Sequence, residues 1–205
     1  MSDFLFSEFE ETSPAAWKQK IQVDLKGADY NDTLLWKTNE GITVKPFYTK
    51  EDKTYQKPIA AKEGFSICQT IIIANEKEEN LLLLAALERG ATAIQFIAKR
   101  KFDPAILLQG ADLTALKIYF KLDFLDAAFT AEIEQFSNAK HCFFQIDILG
   151  SLAEVGNWFV SLKEDYHQLE KIASSTENSI AVSGDLYQNA GANMVQQLAY
   201  TLAHA

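Results

Sequence analysis

Apolar and polar positions follow two alternating patterns along the last two thirds of the chain. Short apolar runs, typical of buried strands, alternate with longer amphipathic stretches that begin at capping residues such as Asn75 and Asp103. Strands are predicted at 65–73, 91–98, 115–124, 141–149 and 179–185. Helices are predicted at 75–90, 103–110, 125–138, 156–175 and 190–205. This order predicts a parallel sheet with helical crossovers.

The first 64 residues differ from the rest in the pattern of their predicted elements. A helix is predicted to begin at the N-cap Ser13, with Pro14 in its first turn, and to stop at Gly27. Two short extended pieces are predicted on either side of a turn at 39–41, followed by a charged linker over 50–64. We therefore divide the chain into an N-terminal arm and linker, 1–64, and an α/β domain, 65–205.

Polar side chains recur on one face of the predicted strands. Within 116–124, apolar residues alternate with Lys117, Tyr119, Lys121 and Asp123. Strands of a doubly wound sheet are covered on both sides and would be apolar on both. A barrel with a polar inner face explains the pattern, and so does an incomplete sheet with one face open to water. No GxGxxG or GxxxxGK[ST] sequence follows any predicted strand, which disfavours a nucleotide-binding fold.

The predicted fold class is α/β, a partial (β/α)8 TIM-type barrel of about four to five βα units. A complete barrel needs about 250 residues, so we expect a fragment of a longer barrel, whose open edge favours self-association. The last helix places Met194, Leu198 and Leu202 on one stripe, with Val195 and Ala199 beside it. We expect this stripe to pack against other elements rather than contact a cofactor.

Composition narrows the functional classes. The net charge of −9 disfavours nucleic acid as a partner. The longest apolar runs are too short to span a bilayer, and the acidic N-terminus resembles neither a signal nor a transit peptide, so we predict a cytoplasmic protein. Cys68 and Cys142 lie far apart in apolar runs, and we predict two buried free thiols rather than a disulfide or a zinc site.

Four polar residues near predicted strand ends are candidates for substrate binding: Gln145, Asp147, Ser183 and Asp185. In α/β barrels the active site lies at this end of the strands. A role in capping, internal hydrogen bonding or simple solvent exposure explains the same residues, and we favour it. Asp147 and Asp185 would form an acid–base pair only with close geometry and a raised pKa.

The segment 183–205 resembles the strand–turn–helix of the barrel domain in methylmalonyl-CoA mutases. It keeps the serine-glycine of that family's motif, its glutamine and alanine-glycine-alanine turn, and much of the following helix. The matching residues are Ser183, Gly184, Gln188, Asn189, Ala190, Gly191, Ala192, Gln196, Leu198, Ala199, Thr201, Leu202 and Ala203. Weaker similarity covers "WKQKIQVDLKG", "LLWKTNEGITVKPFYT", "LAALERGATAIQF" and "QIDILGSLAEVG".

The departures from the family pattern fall on residues that the chemistry requires. Catalytic subunits of this family carry a histidine after serine-glycine-tyrosine, where this chain has Leu186 after Asp185. The family pattern also has an arginine shortly after a stretch that reads "NDIL", and in this chain that arginine is replaced near "AEVGNW". No DxHxxG cobalamin motif is present. The histidines, His141, His167 and His204, stand in unrelated contexts. The resemblance therefore implies no catalytic residue and no metal ligand in this chain.

The resemblance implies a non-catalytic small subunit of a heterodimeric mutase, with a larger partner that binds adenosylcobalamin and interconverts methylmalonyl-CoA and succinyl-CoA. This segment itself is expected to bind no cofactor. One alternative is a catalytic acyl-CoA mutase chain cut short before its cobalamin domain. Another is a module that binds acyl-CoA or another small ligand. The resemblance places the chain in an isomerase family and predicts that it is inactive by itself.

Overall fold

The computed structural model describes residues 8–10, 12–52, 64–137 and 139–205. It divides into two units, residues 1–59 and 60–205, which are described separately below. No helix in the described ranges combines the length and the apolar character that crossing a bilayer requires. Most of the predicted linker, residues 53–63, lies outside the described residues.

The first unit is a small assembly of short elements. It contains α1 (Pro14–Asp24), α2 (Tyr30–Leu34), β1 (Trp36–Lys37), β2 (Thr43–Val44) and a 3-10 turn at Lys50–Asp52. Ser13 caps α1 by accepting a hydrogen bond from the amide of Ala16, which confirms the predicted helix start. Strands β1 and β2 pair antiparallel around Gly41, whose φ of 80° requires the freedom of glycine, so the predicted turn is confirmed as well.

The second unit alternates strands and helices. Its strands are β3 (Cys68–Ile73), β4 (Ala93–Ala98), β5 (Lys117–Leu122) and β6 (Cys142–Phe144). Its helices are α3 (Glu76–Glu88), α4 (Pro104–Leu107), α5 (Ala127–Phe136), α6 (Ile148–Val155), α7 (Leu162–Ser175), α8 (Asp185–Asn189) and α9 (Met194–His204). A 3-10 turn covers Ala139–His141. Asn75 and Asp103 cap α3 and α4 through their side chains, as predicted.

The four strands form one parallel sheet in the order β3-β4-β5-β6. A single parallel bridge between Ile146 and Ile180 follows β6. The observed fold is thus a mixed α/β domain with helical crossovers, as the pattern predicts. It is consistent with part of an α/β barrel.

One face of the sheet holds the core. The register aligns Ile71, Phe96, Phe120 and Phe144 in one row across the four strands, and each is at most 4% exposed. The rings of Phe96 and Phe144 each stack on Phe120, with centroids 5.6 Å apart. Buried side chains from the helices complete this core: Leu83, Leu107, Phe129, Ile133 and Ile172.

The opposite face is polar and only partly covered. The same register brings Thr70, Gln95, Tyr119 and Phe143 into a row on this face, and Lys121 lies in the next row. Residues 117–122 alternate between a fully or partly exposed side chain and a buried one, which confirms the predicted alternation. The polar face therefore belongs to a sheet with one covered and one accessible side.

The predicted end of β6 and the predicted start of α7 are wrong. Strand β6 ends at Phe144 instead of continuing to 149, because the Asp147 side chain caps α6. Helix α7 begins at Leu162 instead of 156, since Ser161 caps it and Asp165 holds the preceding loop amides of Phe159 and Val160.

The segment 179–185 is not a strand, because its pairing is limited to the bridge at Ile180. The short helix α8 also precedes α9, where a single helix over 190–205 is predicted.

Two predictions about burial are also wrong. Cys142 is buried, and burial raises the pKa of its thiol to about 11, but Cys68 is exposed on strand β3. The stripe on α9 is largely exposed instead of buried, since Met194, Leu198 and Leu202 are 59%, 63% and 68% exposed. An amphipathic pattern shows which face of a helix is apolar, but it does not show what covers that face.

Candidate functional site

A cavity of about 920 Å³ lies beyond the carboxyl ends of β4, β5 and β6. Parallel strands end together at this edge, and the loops that follow them supply the walls. The four polar residues singled out in the sequence, Gln145, Asp147, Ser183 and Asp185, all line it. The four residues therefore lie close together in the structure, and their role in substrate binding stays a prediction.

Two glutamines form a directed hydrogen-bond chain across the polar face of the sheet. The Thr70 hydroxyl donates to Gln95 Oε1 at 3.1 Å, and Gln95 Nε2 donates to Gln145 Oε1 at 2.7 Å. This direction presents the Gln145 amide nitrogen, a donor, at the wall of the cavity. A ligand carbonyl or carboxylate oxygen is the group that such a donor suits.

Asp147 has a structural role in the cavity wall. Its Oδ1 accepts a hydrogen bond from the amide of Gly150 at 2.7 Å, which caps α6, and its Oδ2 accepts from the amide of Ser183 at 3.2 Å. A Cβ at Gly150 would lie 2.3 Å from Asp147 Oδ2, so the cap requires glycine there. This role agrees with the favoured interpretation of Asp147 as an internal hydrogen-bond partner.

Ser183 lies between the two carboxylates that the sequence suggests as a pair. Its amide binds Asp147, and its hydroxyl donates to Asp185. The hydrogen bond from Ser183 lowers the pKa of Asp185 below its usual value, and the charge of Lys121 lowers it further. A general acid at neutral pH needs a raised pKa, so Asp185 is poised as an anion rather than as a proton donor.

Leu186 also lines the cavity, from the first turn of α8. Together with Trp158 and Phe159, it gives the cavity an apolar part. The position at which the family resemblance implies a histidine is therefore part of the cavity wall. A leucine side chain there contributes contact area but no hydrogen bond.

The cavity carries an excess of negative charge. Among its described lining residues, the carboxylates are Asp123, Asp147, Glu154 and Asp185, and the basic side chain is Lys121. Such a lining opposes the binding of an anionic ligand and suits a neutral or cationic one.

Several lining residues were not singled out in the sequence, among them Gln95, Lys121 and Trp158. Lys121 belongs to the alternating polar positions of β5, so the signal was present but was not extended to the site. Gln95 is preceded by Ile94 and followed by Phe96 and Ile97, and a single polar residue in an apolar strand does not by itself indicate a functional site. Trp158 lies in a loop, and sequence pattern alone does not indicate which loop bends over a cavity.

Comparison with known proteins relates this architecture to one family. The family model described as methylmalonyl-CoA mutase matches residues 124–205, which include most of the cavity wall. The methylmalonyl-CoA mutase small subunit of Porphyromonas gingivalis is 35% identical over 134 residues, which is 57% of this chain. The aligned part is 22% of that relative, so the chain spans about a fifth of its length. Over these residues, the chain is similar to the methylmalonyl-CoA mutase family.

Proposed function

We propose that this chain belongs to a non-catalytic small subunit of a mutase, which supports a larger catalytic subunit in a heterodimer. The partner binds adenosylcobalamin and substrate, and it interconverts methylmalonyl-CoA and succinyl-CoA. Similarity to a protein named as a small subunit supports this proposal. The acyl-CoA substrates and the partner are inferred from the family.

The observation that carries the proposal is the side chain of Leu186 in the cavity wall. Catalytic members carry a histidine at the position that Leu186 occupies in the sequence resemblance. A hydrogen-bond donor aimed at the thioester carbonyl is the contribution that the protein must make there. Leucine cannot donate, so the cavity lacks that contribution.

The charge of the cavity supports the same conclusion. Methylmalonyl and succinyl groups each carry a carboxylate, and an enzyme would hold it with a cation, preferably a bidentate arginine. The described lining instead combines four carboxylates with the single cation of Lys121. Arg100, a nearby basic residue of the sequence, donates to the carbonyl of Ala74 at 2.6 Å and is absent from the lining.

The residues at this site do not fit the cofactor. Adenosylcobalamin would supply radical chemistry through its cobalt–carbon bond, and the family resemblance implies a DxHxxG motif in the chain that holds it. The sequence has no such motif, and the described lining of the cavity includes no imidazole. We therefore assign the cofactor to the partner.

We further propose that β3 to β6 and the bridge at Ile180 correspond to the first five units of a (β/α)8 barrel. The strands are parallel, they follow one another in chain order, and the carboxyl ends of β4, β5 and β6 border the cavity. Each of these features is expected of barrel strands.

Co-expression with a larger catalytic mutase subunit from the same organism tests the proposed role. We expect a stable complex, whereas this chain by itself should convert no methylmalonyl-CoA and should not change the absorption spectrum of adenosylcobalamin. The first unit offers a contact surface, because Trp36 is 67% exposed. Trp36→Ser should weaken the complex, and Val160→Ser, at a 77% exposed residue of the second unit, is the matched control.

Cobalamin binding or turnover by this chain by itself would reject the non-catalytic assignment. Failure to form a complex would reject the supporting role.

A small-ligand module is the second candidate function, favoured by a cavity whose volume is in the range of small-molecule sites. It predicts a rise in melting temperature with coenzyme A esters, and no rise would remove it.

A further inference from the structure

The segment from Ser183 to Tyr187 forms one wall of the cavity. Three of its residues, Ser183, Asp185 and Leu186, line that cavity directly. Only its last residues are helical, and the helix α8 has no side-chain hydrogen bond at its N-terminus. The position of this wall must therefore be set by contacts from elsewhere in the unit.

His204, near the end of α9, supplies one such contact on each side of its ring. Its Nε2 lies 3.0 Å from Asp147 Oδ1, and its Nδ1 lies 2.9 Å from the Tyr187 hydroxyl oxygen. The side chains of His204 and Asp147 are only 9% and 13% exposed. A carboxylate only accepts, so Nε2 must carry the proton of that contact, whereas the direction of the hydrogen bond between Nδ1 and the Tyr187 hydroxyl depends on the tautomer.

The two ends of the wall are thus tied to the same carboxylate. At one end, the Ser183 amide donates to Asp147 Oδ2, and at the other, Tyr187 reaches Asp147 through the imidazole. The contacts close a ring that runs through Ser183, Tyr187, His204 and Asp147. A break at any of its hydrogen bonds removes one of the two hydrogen-bonded links between the wall and Asp147.

Helix α9 also packs against the segment 183–187 itself. A Cβ at Gly184 would lie 3.2 Å from the Thr201 hydroxyl oxygen, so glycine permits the close approach of the helix. The ring of Tyr187 packs on Tyr200, with centroids 5.5 Å apart. Three residues of α9 thus contact the wall, while Leu198 on the same helix is exposed.

We propose that the Asp147–His204–Tyr187 relay is a clamp that holds the cavity wall 183–187 in place against α9. His204 and Tyr187 are positioning residues, since the described lining of the cavity includes neither. Any movement of α9 is transmitted to Asp185 and Leu186 through this clamp. The proposal requires no partner subunit and stands apart from the proposed function.

Hydrogen exchange of the full chain, measured by mass spectrometry, tests the clamp. Tyr187→Phe keeps the ring contact with Tyr200 and removes the hydroxyl that binds His204. One such hydrogen bond corresponds to about a fivefold change in local opening. We expect the peptide 181–189 to exchange about fivefold faster, with strand β4 unchanged. Tyr200→Phe, which removes a hydroxyl from the neighbouring ring, is the matched control and should leave exchange at 181–189 unchanged.

His204→Phe provides the second variant and should increase exchange at least as much. If it fails to fold, the Tyr187→Phe result decides. Unchanged exchange in Tyr187→Phe, or an equal increase in Tyr200→Phe, would overturn the clamp. Long-range proton–nitrogen correlation spectra of the wild type give an independent readout, because the clamp requires a proton on Nε2 of His204. A proton on Nδ1 instead would overturn it as well.

Discussion

At the scale of single residues, Asp147 joins three parts of the second unit through one carboxylate. It caps α6 at Gly150, binds the amide of Ser183 and contacts His204 of α9. Hydrogen bonds to a charged acceptor are among the stronger ones in proteins, and losing a partner from such a network is costly. The stability of the cavity wall therefore depends on this side chain.

Gly150→Ala tests this dependence. Alanine normally stabilises a helix relative to glycine, but here the new Cβ would lie 2.3 Å from Asp147 Oδ2. The carboxylate must move, which breaks the cap, so we expect a loss of about 1–3 kcal/mol in urea unfolding.

Gly184→Ala is the matched comparison. Its Cβ would lie 3.2 Å from the Thr201 hydroxyl oxygen, a much milder overlap than the one at Gly150, and we expect a smaller loss. A Gly150→Ala variant as stable as the wild type would show that Asp147 does not hold the cap in solution.

The sequence identified part of this site for a physical reason. Gln145, Asp147, Ser183 and Asp185 were singled out because they are polar residues near predicted strand ends, and all of them line the cavity. The network around Asp147 was not predictable, because it depends on His204, which is far away in the chain. Sequence pattern records local periodicity and carries little information on contacts between distant side chains.

At the scale of elements, α9 has an apolar side that is largely uncovered by the described residues. Met194, Val195, Leu198 and Leu202 are each more than half exposed. In the proposed heterodimer or in a longer barrel, this side of α9 is available for further contacts. Within the described residues it contributes little to the core.

Leu198→Glu is expected to change the free energy of unfolding of this chain by no more than about 0.5 kcal/mol, because Leu198 is 63% exposed. The control is Ile172→Ala on α7, whose fully buried side chain should cost about 2–5 kcal/mol. Both values come from urea titrations monitored by circular dichroism. A loss above about 2 kcal/mol for Leu198→Glu would mean that α9 is covered in solution, for instance by a second copy.

Elements with strong local signals were predicted well. Helix α3 has its cap at Asn75 and three acidic residues in its first turn, and β5 has a regular alternation. The elements after β6 were predicted less well. The apolar run 142–149 suits either a strand or a helix, and the Asp147 cap decides between them. For 179–185, the bridge at Ile180 shows that a strand-like sequence forms a ladder only where a partner strand lies beside it.

At the scale of the whole molecule, the row of phenylalanines links the sheet to the helices. Phe120 is fully buried, it stacks on Phe96 and Phe144, and Phe102 lies against it with centroids 6.0 Å apart. Its removal would leave a cavity in contact with three other rings. The stability of the second unit is therefore concentrated around this ring.

Phe120→Ala should cost about 3–5 kcal/mol, a large part of the roughly 5–15 kcal/mol total stability of a typical domain, so we expect a marked fall in melting temperature. Thermal unfolding by circular dichroism measures the effect. Phe65→Ala serves as the control, since Phe65 is 88% exposed and its loss should be nearly neutral. Similar melting temperatures for the two variants would contradict the assignment of Phe120 to the centre of the core.

The strand order β3-β4-β5-β6 has a consequence for synthesis on the ribosome. Register partners lie 25, 24 and 24 residues apart, at 68 and 93, 93 and 117, and 118 and 142. A nascent chain lengthens by about 5–20 residues per second, far more slowly than a loop closes. Each strand that leaves the exit tunnel therefore meets its neighbour already exposed, and the sheet can grow one strand at a time from the N-terminal side.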